Sequence, residues 1–360
     1  MKKIGLYGLL LVVMLMGTQA PIARADEGSD QKIKQEKGFE VDPARPVSGK
    51  KAAAPVVQKQ PEESLEKAPK RWRLFGSSGY EYDDNVPLVT NHKALRTPGD
   101  KSAGRYRIEA GLGYDLYRSK KYRAEVSYRW GHDFHDDSLN QENLQDHILA
   151  VAGHRYLKMW DRPSRFSIRY RYVHNILGGK TFNSFSDWTG SWVGEWKENF
   201  VLSVYDQLAV KNFRDKGFFA NNSSRNGLYH RTGFIQRYLF DNRKREINAG
   251  YEFGFDATKG NNYDQIENGV RVGLVTPVIE KVKFETNFYF QDGYYHHYSR
   301  PPRRHDLRYN YEFILSRPFG KYVEIEGFYK RTDVNTLNDG MNGVFNYDRN
   351  IYGFRMNFNY

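Results

Sequence analysis

The stretch RYRIEAGLGYDLYRSKKYRAEVSYRWG, residues 105–131, decides the fold. Tyr106, Ile108, Ala110, Leu112, Tyr114 and Leu116 share one parity, and Arg105, Arg107, Glu109, Gly111, Gly113 and Asp115 share the other. After the polar RSKK at 118–121 the alternation restarts, with Tyr122, Ala124, Val126, Tyr128 and Trp130 set against Arg123, Glu125, Ser127, Arg129 and Gly131. A period of two places each set on one face of an extended segment. The stretch therefore reads as two antiparallel strands joined by a tight turn, each with one apolar and one strongly charged face.

The same pattern returns at 165–172, 246–256, 281–291 and 308–316, and in the closing YGFRMNFNY at 352–360. Fourteen runs of about ten or more residues begin near 72, 104, 122, 144, 165, 185, 200, 227, 245, 263, 281, 307, 322 and 346. Strands of soluble proteins are typically five or six residues long. A tilted strand that crosses a bilayer needs about 9–11, and these runs have that length. Short connections at 118–121, 161–164, 197–199, 241–244, 278–280 and 319–321 alternate with longer ones at 85–103, 134–143, 175–184, 212–226, 257–262, 294–306 and 333–345. Residues 71–360 are thus expected to be all-β, a transmembrane antiparallel β-barrel of about 14 strands. Its short turns would lie in the periplasm and its longer loops outside the cell.

Composition agrees. Mean hydropathy is only −0.78, yet every aromatic residue except Tyr7 and Phe39 falls after residue 70. A barrel shows lipid only every second side chain and carries aromatic girdles at both interfaces, so it tolerates such polarity. Residues 1–25, with Lys2 and Lys3 before IGLYGLLLVVMLMG and Ala23-Arg24-Ala25 before Asp26, have the layout of a secretory signal peptide. Residues 26–70, rich in Lys, Glu, Ala, Gln and Pro, are expected to form a disordered periplasmic linker. There is no cysteine, which excludes disulfides and thiolate metal sites. Most of the formal charge of +12 falls in the barrel region. It suits contact with anionic solutes or lipopolysaccharide phosphates, and nucleic acid is not an expected partner of an exported barrel.

Parity also assigns a lumen. Arg73, Arg105, Arg107, Arg123, Arg129, Arg165, Arg169 and Arg171 fall inward on the early strands, and Glu252, Glu285, Glu312, Glu324 and Glu326 on the late ones. One wall is expected to be basic and the other partly acidic, so that the lumen either selects solutes or is braced by ion pairs. Three segments fit less well: Asp206 interrupts the apolar parity of 200–210, and His154 and Gln236 do so in 144–156 and 227–240. A bulge or a protomer contact would explain them.

No nucleophile elbow, phosphate-binding loop or zinc-protease motif is present. On that ground the chain is expected not to be an enzyme and to need no cofactor. GHDFHDD at 131–137 puts Asp133, His135 and Asp137 on one face, but solvated loop chemistry is the commoner account and no metal site is assigned. HHYSRPPRRHD at 296–306 reads as a basic outer loop. Phe358 and Tyr360, aromatic at the end of an alternating strand, are expected to close the barrel and to serve as the signal read by the outer-membrane assembly machinery.

GYEYDDNV at 79–86, taken with YDRNIYGFRMNFNY at 347–360, resembles the barrel part of surface lipoprotein assembly modifier proteins. It is also similar to exopolysaccharide-associated outer-membrane barrels, which share a Tyr-Asp-x-Asn element, matched here by Tyr82, Asp83, Asp84 and Asn85. The resemblance implies a fourteen-stranded barrel in the bacterial outer membrane, working either in export or in lipoprotein translocation. The modifiers carry tetratricopeptide repeats ahead of the barrel, and this sequence shows no such 34-residue period. The expectation is therefore a porin-like or export channel for polar or anionic solutes or polymers, the alternative being a translocation or assembly factor.

Overall fold

Alternation sustained over ten or more residues at a time produces fourteen strands in the computed structural model, which describes residues 71–85, 102–135, 143–214, 224–260, 263–279, 281–297, 304–337 and 346–360. They are β1 (Trp72–Asp83), β2 (Ala103–Arg118), β3 (Tyr122–His135), β4 (Leu144–Met159), β5 (Arg162–Leu177), β6 (Lys180–Lys197) and β7 (Phe200–Phe213). The second half comprises β8 (Gly227–Phe240), β9 (Arg245–Thr258), β10 (Gln265–Ile279), β11 (Val282–Tyr294), β12 (His305–Phe319), β13 (Val323–Leu337) and β14 (Tyr347–Asn359). Each strand pairs antiparallel with its chain neighbours, and β1 pairs with β14, so the sheet is a closed barrel. The expected signal peptide and linker lie outside the described residues.

One outer connection differs from expectation. Residues 175–184 do not form a long loop. Gly178 and Gly179 have φ of 53° and 76° and turn the chain in two residues, with Leu177 opposite Lys180. Two adjacent glycines suit a type I′ hairpin because they take positive φ without a Cβ clash. On the other side, Trp160 and Asp161 make an equally tight turn, both at positive φ.

The barrel is inverted relative to a soluble protein. Large apolar side chains such as Leu112, Leu149, Ile168, Trp188, Val272, Leu315 and Phe354 are exposed on the exterior, while Arg105, Arg107, Asp133, Asp146, Asp187, Glu252 and Glu267 are buried. Water outside such a surface would be expelled; hydrocarbon would not. Near the periplasmic turns aromatic rings run side by side: Trp160, Trp192 and Phe166, then Trp196, Phe200, Tyr238 and Phe240, then Tyr322 with Tyr360 and Trp72 with Tyr114. They form the interfacial girdle of a membrane barrel. A closed barrel with a lipid-facing exterior and a charged interior resides in the bacterial outer membrane.

The irregular segments have different causes. The β7–β8 ladder is continuous from Phe200↔Tyr238 to Lys211↔Gly227, so no bulge displaces Asp206. Asp206 points outward halfway along β7, where its carboxylate meets His230 Nε2 at 2.7 Å. Gln236 also faces outward and accepts from Trp196 Nε1 at 2.9 Å. His154 turns inward instead, its Nδ1 2.9 Å from Ser167 Oγ.

Closure rests on the two segments that carried the family resemblance. The β1–β14 ladder runs from Phe75↔Asn359 to Asp83↔Ile351, and Leu74 and Tyr360 exchange both backbone hydrogen bonds, at 2.8 and 3.1 Å. At the outer end Arg349 Nε donates to Asp83 at 2.9 Å, and the Asn350 backbone N–H and side-chain amide donate to Asp84 at 2.6 and 2.7 Å. Asn85 Nδ2 donates to the Asp348 carbonyl at 2.9 Å, and the Tyr82 and Tyr352 rings lie 5.2 Å apart. The Tyr-Asp-x-Asn element is thus one half of a clasp across the seam.

Asp83 is 0% exposed and faces Arg349, and removing one partner of a buried pair costs about 3–5 kcal/mol. Asp83→Ala should therefore lower the urea midpoint for unfolding of the detergent-solubilised barrel, followed by heat-modifiable gel migration. Arg at Ile108, on the outward parity of Tyr106, should impair insertion by about 2–4 kcal/mol near the midplane, read as loss of the folded gel band. An Ile108→Arg barrel as stable as the parent would mean that β2 is in the wrong register.

Candidate functional site: the charged lumen

Every strand turns one parity inward, so the lumen is lined wherever that parity is polar. Arg105, Arg107, Arg123, Arg129, Arg169 and Arg171 face in from β2, β3 and β5, and Glu252, Glu285, Glu312 and Glu324 from β9, β11, β12 and β13.

The expected division into a basic and an acidic wall does not hold for most of these residues. Arg105 Nε donates to Glu81 at 2.8 Å, and Asp133 lies 3.5 Å away. Arg107 is surrounded by Asp133, by Glu109 at 2.6 Å and by Asp146 at 3.1 Å. Arg129 reaches Asp146 at 3.3 Å, and Arg355 reaches Glu81 at 3.1 Å. The result is a lattice of alternating sign across β14, β1, β2, β3 and β4. Nearer the periplasm Arg123 bridges Asp115 and Glu125, at 2.8 and 2.7 Å, and Arg73 also reaches Glu125 at 2.7 Å. Arg171 pairs with Asp187 at 2.6 Å.

The late strands are braced likewise. Glu252 accepts from the hydroxyls of Tyr205 and Tyr289 at 2.5 and 2.6 Å, and Arg231 and Arg271 lie 3.2 and 2.9 Å away. Groups from β7, β8, β10 and β11 therefore converge on one β9 carboxylate. Glu267 takes Arg231 at 3.2 Å and Gln291 at 2.8 Å. Glu312 pairs with Lys330 at 3.1 Å, and Glu285 accepts from Asn287 at 2.8 Å.

Two sets stand apart. Among the described residues Arg165 and Arg169 on β5 have no carboxylate within ion-pair distance, and the Nε of each is out of solvent without a hydrogen-bond partner. Glu324 and Glu326 on β13 likewise have no cation within that distance; Arg355, opposite Glu326 in the ladder, turns to Glu81 instead. β5 and β13 are six strand steps apart one way round the barrel and eight the other, so the two sets face each other nearly across the lumen. Both lie in the periplasmic halves of their strands. The opposed walls thus shrink to two arginines and two glutamates.

The early strands carry carboxylates on the same inward parity as their arginines. Glu109, Asp115 and Glu125 stand in the very alternation that assigned Arg107 and Arg123 inward, and Glu81, Asp133, Asp146 and Asp187 follow the same rule. Of the Asp133, His135 and Asp137 group, Asp133 is committed to Arg105 and Arg107, His135 lies by Asn143, and residue 137 is outside the described residues. Phe358 and Tyr360 lie on β14 and just beyond it, exposed at the periplasmic rim.

No family model matches this chain, and no curated protein does. Its fold is similar to that of an anion-selective porin from Comamonas acidovorans, 8% identical, with 80% of this chain and 99% of that one covered and a TM-score of 0.43. The Acinetobacter baumannii outer membrane protein Omp33 is 13% identical, with 81% and 98% covered and a TM-score of 0.36. Outer membrane phospholipase A from Escherichia coli is 10% identical, with 79% and 92% covered and a TM-score of 0.37. That last likeness corrects the expectation of a non-enzyme. An enzyme is among the barrels of similar fold, so neither a barrel nor the lack of soluble-enzyme motifs excludes catalysis.

The lattice changes what substitution should do. Arg107→Glu would set a fourth carboxylate among Glu109, Asp133 and Asp146, so this variant should lose folded barrel. Arg169→Gln should keep it, because it breaks no ion pair. Comparing the folded fraction of the two proteins after refolding into detergent tests the difference.

Proposed function

We propose that this chain is an outer-membrane conduit for small polar solutes, with anions favoured at its periplasmic half. The observation that carries the reading is the pair Arg165 and Arg169, turned into the lumen with no carboxylate within ion-pair distance among the described residues, while Arg123 and Arg171 beside them are paired. Their charge remains available to a passing solute, whereas that of Arg105 or Arg107 is already spent on neighbouring strands. Glu324 and Glu326, nearly opposite, give the same level a transverse field. The likeness to a porin described as anion-selective is one of fold and adds no argument about solutes.

The likeness to surface lipoprotein assembly modifiers and exopolysaccharide-associated barrels has a narrower meaning than a shared client. The residues that carry it, Asp83, Asp84 and Asn85 with Asp348, Arg349 and Asn350, are those that clasp the seam. They support a common way of closing a barrel. Phe358 and Tyr360 complete this reading as the contact offered to the assembly machinery.

Reconstitution into planar bilayers under a salt gradient tests the proposal. The parent barrel should conduct, with a reversal potential on the anion side. Arg165→Gln with Arg169→Gln should move that potential toward cations, and Glu324→Gln with Glu326→Gln should move it further toward anions. A folded, inserted barrel that passes no current would end the conduit reading. Unchanged selectivity in both double variants would end the assignment to these four residues.

A further inference from the structure

At the extracellular end of β10 and β11 three side chains with metal-binding chemistry meet. Asp264 lies just before β10, in the connection from β9, and His296 and His297 lie just beyond β11. Ile266 is opposite Tyr294 in the β10–β11 ladder, so continuing that register sets residue 264 across from residue 296. The neighbourhood follows from strand pairing and does not depend on a loop wandering into place.

The group is organised around the carboxylate. Asp264 Oδ1 accepts from the Thr258 backbone N–H at 2.5 Å and from the Thr258 hydroxyl at 2.8 Å. That fixes the carboxylate plane and directs Oδ2 to His297, whose Nδ1 lies 2.9 Å away. The His296 and His297 rings have centroids 4.1 Å apart. One ligand atom from each of the three residues lies within 4.8 Å of the others. The bases of both connections are held as well: Lys259 N donates to the Asn226 carbonyl at 2.7 Å and Tyr295 N to the Arg304 carbonyl at 3.0 Å. Among the described residues, Arg304 is engaged with Asp306 and Arg225 lies over the Tyr263 ring.

We propose that Asp264, His296 and His297 form a divalent transition-metal site on the cell-surface rim of the barrel. Two imidazoles and one carboxylate match zinc and its neighbours, whereas calcium and magnesium prefer sets made only of oxygen. Ligand bonds of about 2.0–2.2 Å to one ion leave the donor atoms some 3–4 Å apart, which a small closure of the observed group provides. Thr258 acts as the outer partner that orients the carboxylate. Three protein ligands leave a tetrahedral ion one position for water or a solute. A bound ion would tie the β9–β10 connection to the neighbouring β11–β12 connection at the rim.

The test is titration of the full-length, detergent-solubilised barrel with Zn²⁺ alone, read by calorimetry and by competition with a chromogenic chelator. One ion per chain should bind, unaffected by excess Ca²⁺. Asp264→Asn and His297→Gln should each weaken binding at least tenfold, and Thr258→Val should weaken it by a smaller factor. His297→Gln should retain heat-modifiable migration because His297 is exposed at the rim, and Asp264→Asn and Thr258→Val because the amide oxygen still accepts from the residue 258 N–H and valine keeps the shape of threonine. X-ray absorption of the zinc-loaded barrel should show two imidazole nitrogens in the first shell. Absence of stoichiometric binding, or equal affinity in the parent, Asp264→Asn and His297→Gln proteins, would overturn the site. Conductance does not enter the assay, so its outcome is independent of the conduit reading.

Discussion

Inside a bilayer no water reaches a broken sheet edge, and each unpaired backbone group there costs several kcal/mol. The pairing of β1 with β14 removes the edge, and the other ladders depend on it. It is a contact between residues far apart in the chain, so it must form against the entropy of closing a long loop. The side chains at its outer end match that demand. Asp83, Asp84 and Asn85 meet Asp348, Arg349 and Asn350 in a group of charge-assisted and amide hydrogen bonds, stronger than neutral ones. Leu74 and Tyr360 seal the periplasmic end through their backbones.

With the seam closed, the period of two can only mean lipid on one side and lumen on the other. The lumenal charges then answer to a second constraint. A guanidinium that has lost much of its water needs carboxylates or hydroxyls around it, and neighbouring strands supply them. Glu252 shows how far this goes, drawing on Tyr205, Arg231, Arg271 and Tyr289 from four other strands. Such networks stiffen the wall and cancel its field at a distance. Cancellation is weakest at Arg165 and Arg169 facing Glu324 and Glu326, the four residues on which the proposed conduit rests.

Among the described residues, a charged side chain departs from the lipid rule halfway along β7. Asp206, at the middle of β7, presents a carboxylate to the apolar face, and His230 from β8 supplies its partner. Other outward charges, such as Asp292 with His305 and Arg331 with Asp333, occur where strands approach the outer interface. The Asp206–His230 pair satisfies hydrogen bonding locally, which lowers the cost of a polar group on this face.

The sequence by itself determined the strands, their inward and outward faces, and the barrel. Alternation is a local property, and a run such as Tyr106 to Leu116 has one amphipathic solution in a membrane. It also placed Arg107 and Arg169 on the same inward parity without distinguishing them. Only the tertiary structure decided that Arg107 sits among three carboxylates from β2, β3 and β4 while Arg169 meets none, because ion pairing across strands depends on register, and register depends on every turn before it. The same holds for the seam, where two short motifs separated by most of the chain prove to be halves of one clasp. It holds again for Asp264, His296 and His297, which only the pairing of β10 with β11 brings within reach of a single ion.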